Sequence, residues 1–333
     1  MTPSRLRLTV CAASLAMLAA AVATPSLLGR RLGLAVDTLA GASRPWLAAA
    51  ALAFVIAFCA GVAAWRVALA AAGAPISRRQ AGARIGIGCL VNSVAPAKLG
   101  DAVKLALCAR ATNVPDRLWT TGGVYAALAA ARSLVLVGVL ALGWSVGAVP
   151  AWPLAALVAT LALVAVVAAL SGRLRNHPHL THFLSAVRTL TRDGRLAVAL
   201  LGWTAAIAVT RLVATGAVAA ALGVPHPALV ALLILPALDL AGAFPLTPGA
   251  VGIGSGAVAG ALATRGIPAA DGLATGLAIQ GLETLVSIAA GASGALYLAA
   301  PGPAARRWTA RVAVVGAAAA LAAVLGSVVF ELT

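Results

Sequence analysis

The sequence predicts an all-α integral membrane protein with about seven membrane-crossing helices and two re-entrant helical hairpins in an inverted repeat. Of its 333 residues, 62% are hydrophobic and only 10% are charged, whereas soluble domains carry about 25% charged residues. Lys and Arg number 24 against 8 Asp and Glu, a net charge of +16. Because long apolar stretches separate the basic residues, this charge indicates membrane topology and attraction to lipid rather than nucleic-acid binding. The apolar content excludes a disordered chain, and the scattered cysteines exclude a disulfide scaffold.

Seven segments are long and apolar enough to span a bilayer, which takes about 20 residues. They are about residues 8–28, 46–72, 118–144, 152–170, 196–222, 270–298 and 308–330. The first also resembles a signal peptide, because Ala21-Val22-Ala23 is similar to a cleavage site. We favour an uncleaved helix followed by an interfacial segment up to residue 45; both interpretations leave the later topology unchanged.

Two further segments, residues 80–117 and 227–264, contain paired apolar runs that are each too short to span. In the first, Pro96 ends one run, and Gly100 and Asp101 begin the next. In the second, the break falls around Pro245 and Pro248. Two half-length helices joined by a Pro/Gly break are typical of a re-entrant hairpin.

The distribution of basic residues supports this topology. With the N-terminus inside and both hairpins returning to the side they enter from, 17 basic residues face the inside and 4 the outside, while three arginines stay within spans. Cytoplasmic loops carry the excess of Lys and Arg. We therefore expect a multi-pass protein of the cell membrane with a cytoplasmic N-terminus and an external C-terminus.

The order span, hairpin, span, span occurs twice within one transmembrane domain of residues 1–333. The halves are about residues 46–170 and 196–330, preceded by the N-terminal helix and interfacial segment of residues 1–45. The first half starts outside and the second inside, so the repeats are inverted. Inverted repeats with broken helices are typical of transporters that bind their substrate at the repeat interface.

Lys98, Asp101 and Lys104 share one face of the half-helix after Pro96, at spacing i, i+3, i+6. Two cations around one anion are suited to an anionic headgroup, with the aspartate orienting the lysines. The alternative is a hairpin tip that rests at the cytoplasmic interface.

Two arginines, Arg132 and Arg211, lie near the middle of predicted spans, and the deep anions available to them are Asp239 and Glu283. Because a buried charge must face the bundle interior, these residues form either structural ion pairs or a charged path for a lipid headgroup. Polar side chains also flank both breaks, where they can satisfy freed backbone groups. The residues assigned to the breaks are Asn92, Pro96, Gly100, Pro245, Pro248, Gly249, Gly252 and Ser255.

Catalytic and cofactor motifs are not found in the sequence. The segment HPHLTH (residues 177–182) has no nearby cysteine, and structural zinc usually takes four close ligands. No phosphate-binding loop, metalloprotease motif or nucleophile elbow occurs. We expect no metal site, no cofactor and no direct use of ATP.

At the two hairpins the sequence resembles the lysylphosphatidylglycerol synthase transmembrane family, also called flippase-like domain proteins. The first-half motif is "NSVAPAKLGDAVKLAL", followed by an arginine in the next span, here Arg132. The second-half motif is "PLTPGAVGIGSGAV", followed by Gln280 and Glu283 in the next helix. The chain departs from the family pattern at Ser255, where many members have Glu, and at Ala131, where many have an acidic residue.

The resemblance implies a lipid flippase-like domain whose substrate is an anionic phospholipid or a polyprenyl-phosphate-linked lipid. In the best-known members such a domain is fused to a soluble synthase domain, for which this sequence has no room, so aminoacyl-transferase activity is not expected. Two alternatives stay open. One is a small-solute or anion transporter, and the other is a non-transporting subunit that partners a separately encoded lipid-modifying enzyme.

Overall fold

The computed structural model describes residues 41–95, 99–114, 116–170, 193–242 and 253–300, and within these ranges all regular secondary structure is helical. The helices, in chain order, are α1 (Arg44–Ala71), α2 (Arg78–Val94), α3 (Leu99–Ala109), α4 (Arg117–Ser145), α5 (Ala151–Leu170), α6 (Gly194–Ala221), α7 (Pro227–Ala241), α8 (Ile253–Ala263) and α9 (Ala269–Ala299).

Four of these helices, α1, α4, α6 and α9, are long and apolar enough to cross a membrane. They contain 28 to 31 residues and are therefore about 42–47 Å long. They coincide with four of the predicted spans, and α5 coincides with a fifth. The predicted spans at residues 8–28 and 308–330 lie outside the described residues, as does the segment HPHLTH.

Exposed tryptophans mark the ends of several of these helices. Trp119 and Trp144 lie near the two ends of α4. Trp46 and Trp152 lie in the first turns of α1 and α5, and all four side chains are exposed. Trp144 follows Trp119 by 25 positions, which corresponds to a rise of about 38 Å along α4. This distance exceeds the hydrocarbon core thickness of about 30 Å. Indole side chains are enriched at membrane–water interfaces, and this spacing of the two tryptophans is typical of a helix that spans a bilayer.

The other four helices come as two short pairs, α2 with α3 and α7 with α8. They contain 17, 11, 15 and 11 residues, fewer than a span requires. The prediction of paired half-length helices in these two segments is therefore confirmed. Pro96 and Lys98, and likewise Pro245, Pro248, Gly249 and Gly252, lie outside the described residues.

The described chain falls into two compact units. The first contains residues 41–56, 79–104 and 211–300, and the second contains residues 57–78, 105–170 and 193–210. The units cut across the predicted halves, since α2 and the start of α3 belong with most of the second half of the chain. In the second unit, α4 packs on α5, and the ring of Trp65 approaches that of Tyr125 at 6.2 Å.

The core of the first unit is built from small and branched side chains of five helices. Phe54 of α1, Val218 of α6, Ile234 of α7, Val258 of α8 and Ile279 of α9 lie in one buried cluster. Alanines between them let the helices approach closely, because lipid supplies no hydrophobic driving force and association depends on close contact. This core holds α6, α7 and α9 side by side and so fixes the charged residues that they carry.

Candidate functional site

Helix α9 contacts both short helix pairs through glycines, one pair at each half of its length. At its N-terminal half, a Cβ at Gly276 would lie 2.6 Å from the Cα of Ser255 in α8. At its C-terminal half, a Cβ at Gly294 would lie 2.9 Å from the Cα of Ala83 in α2. Real Cβ contacts are not that short, so both contacts require glycine. Such small-residue interfaces are typical of helices packed within membranes.

The first short pair carries a polar cluster close to its break. Asn92 of α2 donates a hydrogen bond from Nδ2 to Oδ1 of Asp101 at 2.9 Å. Lys104 Nζ binds the same oxygen at 2.9 Å, and the lysine and aspartate side chains are only 15% and 21% exposed. Asp101 thus contacts Lys104, as their spacing predicted, while Lys98 lies outside the described residues.

Close contact between α2 and α3 holds this first cluster together. A Cβ at Gly88 would lie 2.7 Å from the carbonyl oxygen of Gly100, and one at Gly100 would meet the Asn92 side chain. The contacts join the second half of α2, at Gly88 and Asn92, to the first half of α3, from Gly100 to Lys104. The role of Gly100 is thus to let Asn92 reach Asp101.

The second cluster joins three helices around Arg211, which lies within α6. Its Nη1 donates a hydrogen bond to Oδ1 of Asp239 in α7 at 3.1 Å. Its Nη2 lies 3.4 Å from Oε1 of Glu283 in α9. The structure thus pairs Arg211 with both of the anions that the sequence offered to it and to Arg132, which was the structural alternative for Arg211.

The two carboxylates around Arg211 differ in exposure. The side chain of Asp239 is 12% exposed, similar to the 14% of Arg211, whereas that of Glu283 is 44% exposed. Asp239 also interacts with further groups besides Arg211. One arginine faces two carboxylates, so this cluster carries one formal negative charge more than positive charge.

Cys89 of α2 lies near both clusters within the first unit. Its thiol interacts with the charges of Lys104 and Asp101 in α3 and with that of Glu283 in α9. Cys89 thus lies within electrostatic range of charges from both clusters. Sequence reasoning did not select Cys89, because a single cysteine in an apolar run carries no signal for a polar neighbourhood.

Gln280, one turn before Glu283 on α9, faces α8 rather than Arg211. Its side-chain amide lies directly on Gly254, and Leu238 contacts the same glycine. Ser255, the next residue of α8, is buried against Gly276. These two polar residues from the predicted set thus line the α8–α9 contact.

Arg132 belongs to α4 in the second unit, and its side chain is exposed. The expectation that this mid-span arginine is buried is therefore not met. Within the part of the chain that the structure describes, no group of three His, Cys, Asp or Glu side chains is placed to hold a metal ion.

Long apolar helices, interfacial tryptophans and ion pairs between helices define a polytopic helical membrane protein. Comparison with known families then gives a narrower assignment. The model of the family described as "Lysylphosphatidylglycerol synthase TM region" matches residues 10–291, and the chain belongs to this family. The resemblance found at the two hairpin motifs is therefore confirmed. No curated protein and no solved structure matches the chain.

Proposed function

We propose that the protein moves an anionic phospholipid, or a lipid-linked anionic headgroup, between the leaflets of the membrane. The observation that supports this most is the charged cluster around Arg211, held by three helices between apolar faces. Ionisable groups inside a membrane are costly and usually mark a substrate pathway. Membership in a family named after a lipid-modifying enzyme favours a lipid over a soluble substrate.

The mechanism that fits these residues separates the headgroup from the tails. The headgroup would pass along the polar side chains of the two clusters, Lys104 with Asp101 and Arg211 with Glu283, while the acyl chains stay in lipid. Each cation would offset part of the desolvation cost of the headgroup phosphate. Lys98 and Arg132 are the further cations that the sequence proposes for binding the substrate.

The proposal includes the topology derived from the sequence. Seven spans and two re-entrant hairpins in an inverted repeat would place the breaks at Asn92–Gly100 and Pro245–Gly252 inside the bilayer, with the N-terminus cytoplasmic. Contact of one helix, α9, with both short pairs supports a shared site for the two hairpins. The partners are then membrane lipids, with a separately encoded lipid-modifying enzyme as a further partner, and the protein itself transfers no aminoacyl group.

A reconstituted liposome assay tests this function. Purified protein is placed in vesicles containing labelled phosphatidylglycerol, labelled phosphatidylcholine or a labelled lipid-linked sugar, and movement between leaflets is measured. We expect selective movement of one anionic class, lost in Lys104→Ala. The matched control is Arg265→Ala, which removes an exposed cation outside both clusters and should leave transport unchanged.

Two other outcomes would replace the proposal. Transport of a soluble anion without lipid movement would identify a solute transporter. No transport of either kind by folded protein, together with a requirement for the basic segment at residues 173–195, would identify a subunit that recruits an enzyme.

A further inference from the structure

The guanidinium of Arg211 is only partly used by its two carboxylates. A guanidinium is a planar fork in which Nε–H and one Nη2–H point the same way and form a bidentate edge. On Arg211, Nη1 is committed to Asp239 at 3.1 Å, while Nη2 has the longer contact of 3.4 Å with Glu283. Nε is buried and donates to no acceptor among the described residues. The Nε/Nη2 edge therefore keeps an unused donor that a better-placed acceptor can engage.

Asp239 has the features of a fixed anchor for this arginine. It is slightly more buried than Arg211, is hydrogen-bonded to it and has further interactions besides this one. Breaking a buried pair of this kind leaves an uncompensated charge in a medium of low dielectric constant. The anchored Nη1 group thus fixes the plane of the guanidinium and the direction of its other edge.

Glu283 has the opposite features. It is 44% exposed, and its contact with Nη2 is beyond ordinary hydrogen-bond distance. Within the described ranges, Arg211 is the one ion-pair partner of Glu283. A partly exposed pair with such geometry contributes little to stability, because solvent screens it. Glu283 can therefore leave the arginine at small cost and become hydrated.

We propose that the Nε/Nη2 edge of Arg211 is a binding site for a phosphate oxyanion, called the phosphate seat below. The substrate occupies this seat by displacing Glu283. The inference rests on the proposed function and names the contact that recognises the headgroup. A phosphodiester carries one negative charge, so exchanging it for the Glu283 carboxylate leaves the charge balance around Arg211 unchanged. Two parallel N–H donors match two phosphate oxygens, a geometry that lysine does not offer.

The exchange also provides a route for release. When Glu283 returns to the edge, it competes with the phosphate for the same donors and frees the headgroup. Glu283 thereby acts as a positioning and exchange residue, and Arg211 as the binding residue.

Binding of a short-chain lipid to the purified protein in a maltoside detergent tests the seat. The probe is dihexanoylphosphatidylglycerol, with dihexanoylglycerol as the phosphate-free comparison. Glu283→Gln should bind the phospholipid about two- to fivefold more tightly, because the competing carboxylate is gone. Arg211→Lys should bind it about tenfold more weakly, because the bidentate edge is lost while the charge is kept. Asp271→Asn removes an exposed carboxylate at the start of α9 and should leave the affinity unchanged.

The double variant separates the seat from a general charge effect. In the Arg211→Lys background, Glu283→Gln should give no increase in affinity, since there is no edge to vacate. An equal increase in both backgrounds would overturn the proposal. If Arg211→Lys does not give folded protein, Glu283→Gln decides alone, and an affinity equal to that of the natural sequence contradicts the seat.

Two further comparisons identify the source of the phosphate. Inorganic phosphate that competes as well as the phospholipid would assign the seat to the free ion and overturn the lipid as its occupant. Phospholipid binding that depends on Arg211, in a protein that moves no lipid in liposomes, would retain the seat and reject the proposed transport.

Discussion

The two short helix pairs contact α9 in the same way but use their charges differently. In the pair α2/α3, Asn92 and Lys104 both bind Asp101, so this cluster joins the two helices of one pair. In the pair α7/α8, Asp239 instead forms an ion pair with Arg211 of α6, outside the pair. A cluster within one helix pair stabilises that pair, whereas a cluster shared by three helices depends on how those helices are placed and can change when they move.

The largest expected effect tests whether the two contacts with α9 are equivalent. Gly276→Val and Gly294→Val each place a side chain against the backbone of a short pair. Each should lower the stability by more than about 3 kcal/mol, because backbone cannot move aside as a side chain can. The measurement is the thermal unfolding midpoint in detergent, followed by tryptophan fluorescence.

The control for this prediction is Gly260→Ala in α8, where no atom lies within 4 Å of the added Cβ. Its unfolding midpoint should equal or exceed that of the natural sequence, since alanine favours a helix. A strong effect of Gly276→Val alone would mean that the first short pair is not held by α9, and the similarity between the pairs would not stand.

The second prediction contrasts the aspartates of the two clusters. Asp239→Ala should cost about 3 kcal/mol, because Arg211 keeps only its half-exposed partner in a buried position. Asp101→Ala should cost about 1–2 kcal/mol, because Lys104 is already 15% exposed and its long side chain can turn its ammonium group toward water. The same unfolding measurement compares them.

A double replacement checks that the effect of Asp239→Ala comes from the arginine. Arg211→Met combined with Asp239→Leu removes both charges and should recover most of the lost stability. Failure to recover would show that the further interactions of Asp239, and not its ion pair, stabilise α7.

Much of this arrangement follows from local features of the sequence. Apolar length predicted α1, α4, α6 and α9, and the prolines and glycines predicted the two breaks. Spacing i, i+3 placed Asp101 and Lys104 on one face, and the structure joins them. These predictions succeed because each depends on residues within one or two helical turns.

The contacts between distant helices could not be obtained in that way. The sequence offered Asp239 and Glu283 as anions for two arginines, but only the packing of α6, α7 and α9 pairs both with Arg211. Arg132 was expected inside because it is near the middle of α4, yet it is exposed. A helix that is apolar on all sides gives no sign of which face is inward, so depth along the span does not determine burial.

The third prediction concerns the cluster of Asn92, Asp101 and Lys104 within the pair α2/α3. Lys104→Met should cost about 1 kcal/mol, because Asp101 keeps its hydrogen bond from Asn92 and an i, i+3 ion pair contributes little. Asn92→Ala should have an effect of similar size, because it removes the other hydrogen bond to Oδ1 of Asp101. Thermal unfolding of the two single variants and the double variant gives their coupling, and a coupling near zero would mean that the two bonds to Asp101 act independently.

The smallest expected effect decides whether the shared cluster can change its partners. Glu283→Gln should lower the stability by less than about 0.5 kcal/mol, because the side chain is 44% exposed and solvent screens its contact with Arg211. A cost as large as that of Asp239→Ala would show that Glu283 is a second fixed anchor. In that case the Nε/Nη2 edge would stay occupied, and a headgroup phosphate could not reach it. A small loss of stability would mean that Asp239 of α7 alone fixes Arg211. Replacement of the Glu283 carboxylate by a headgroup phosphate requires this condition.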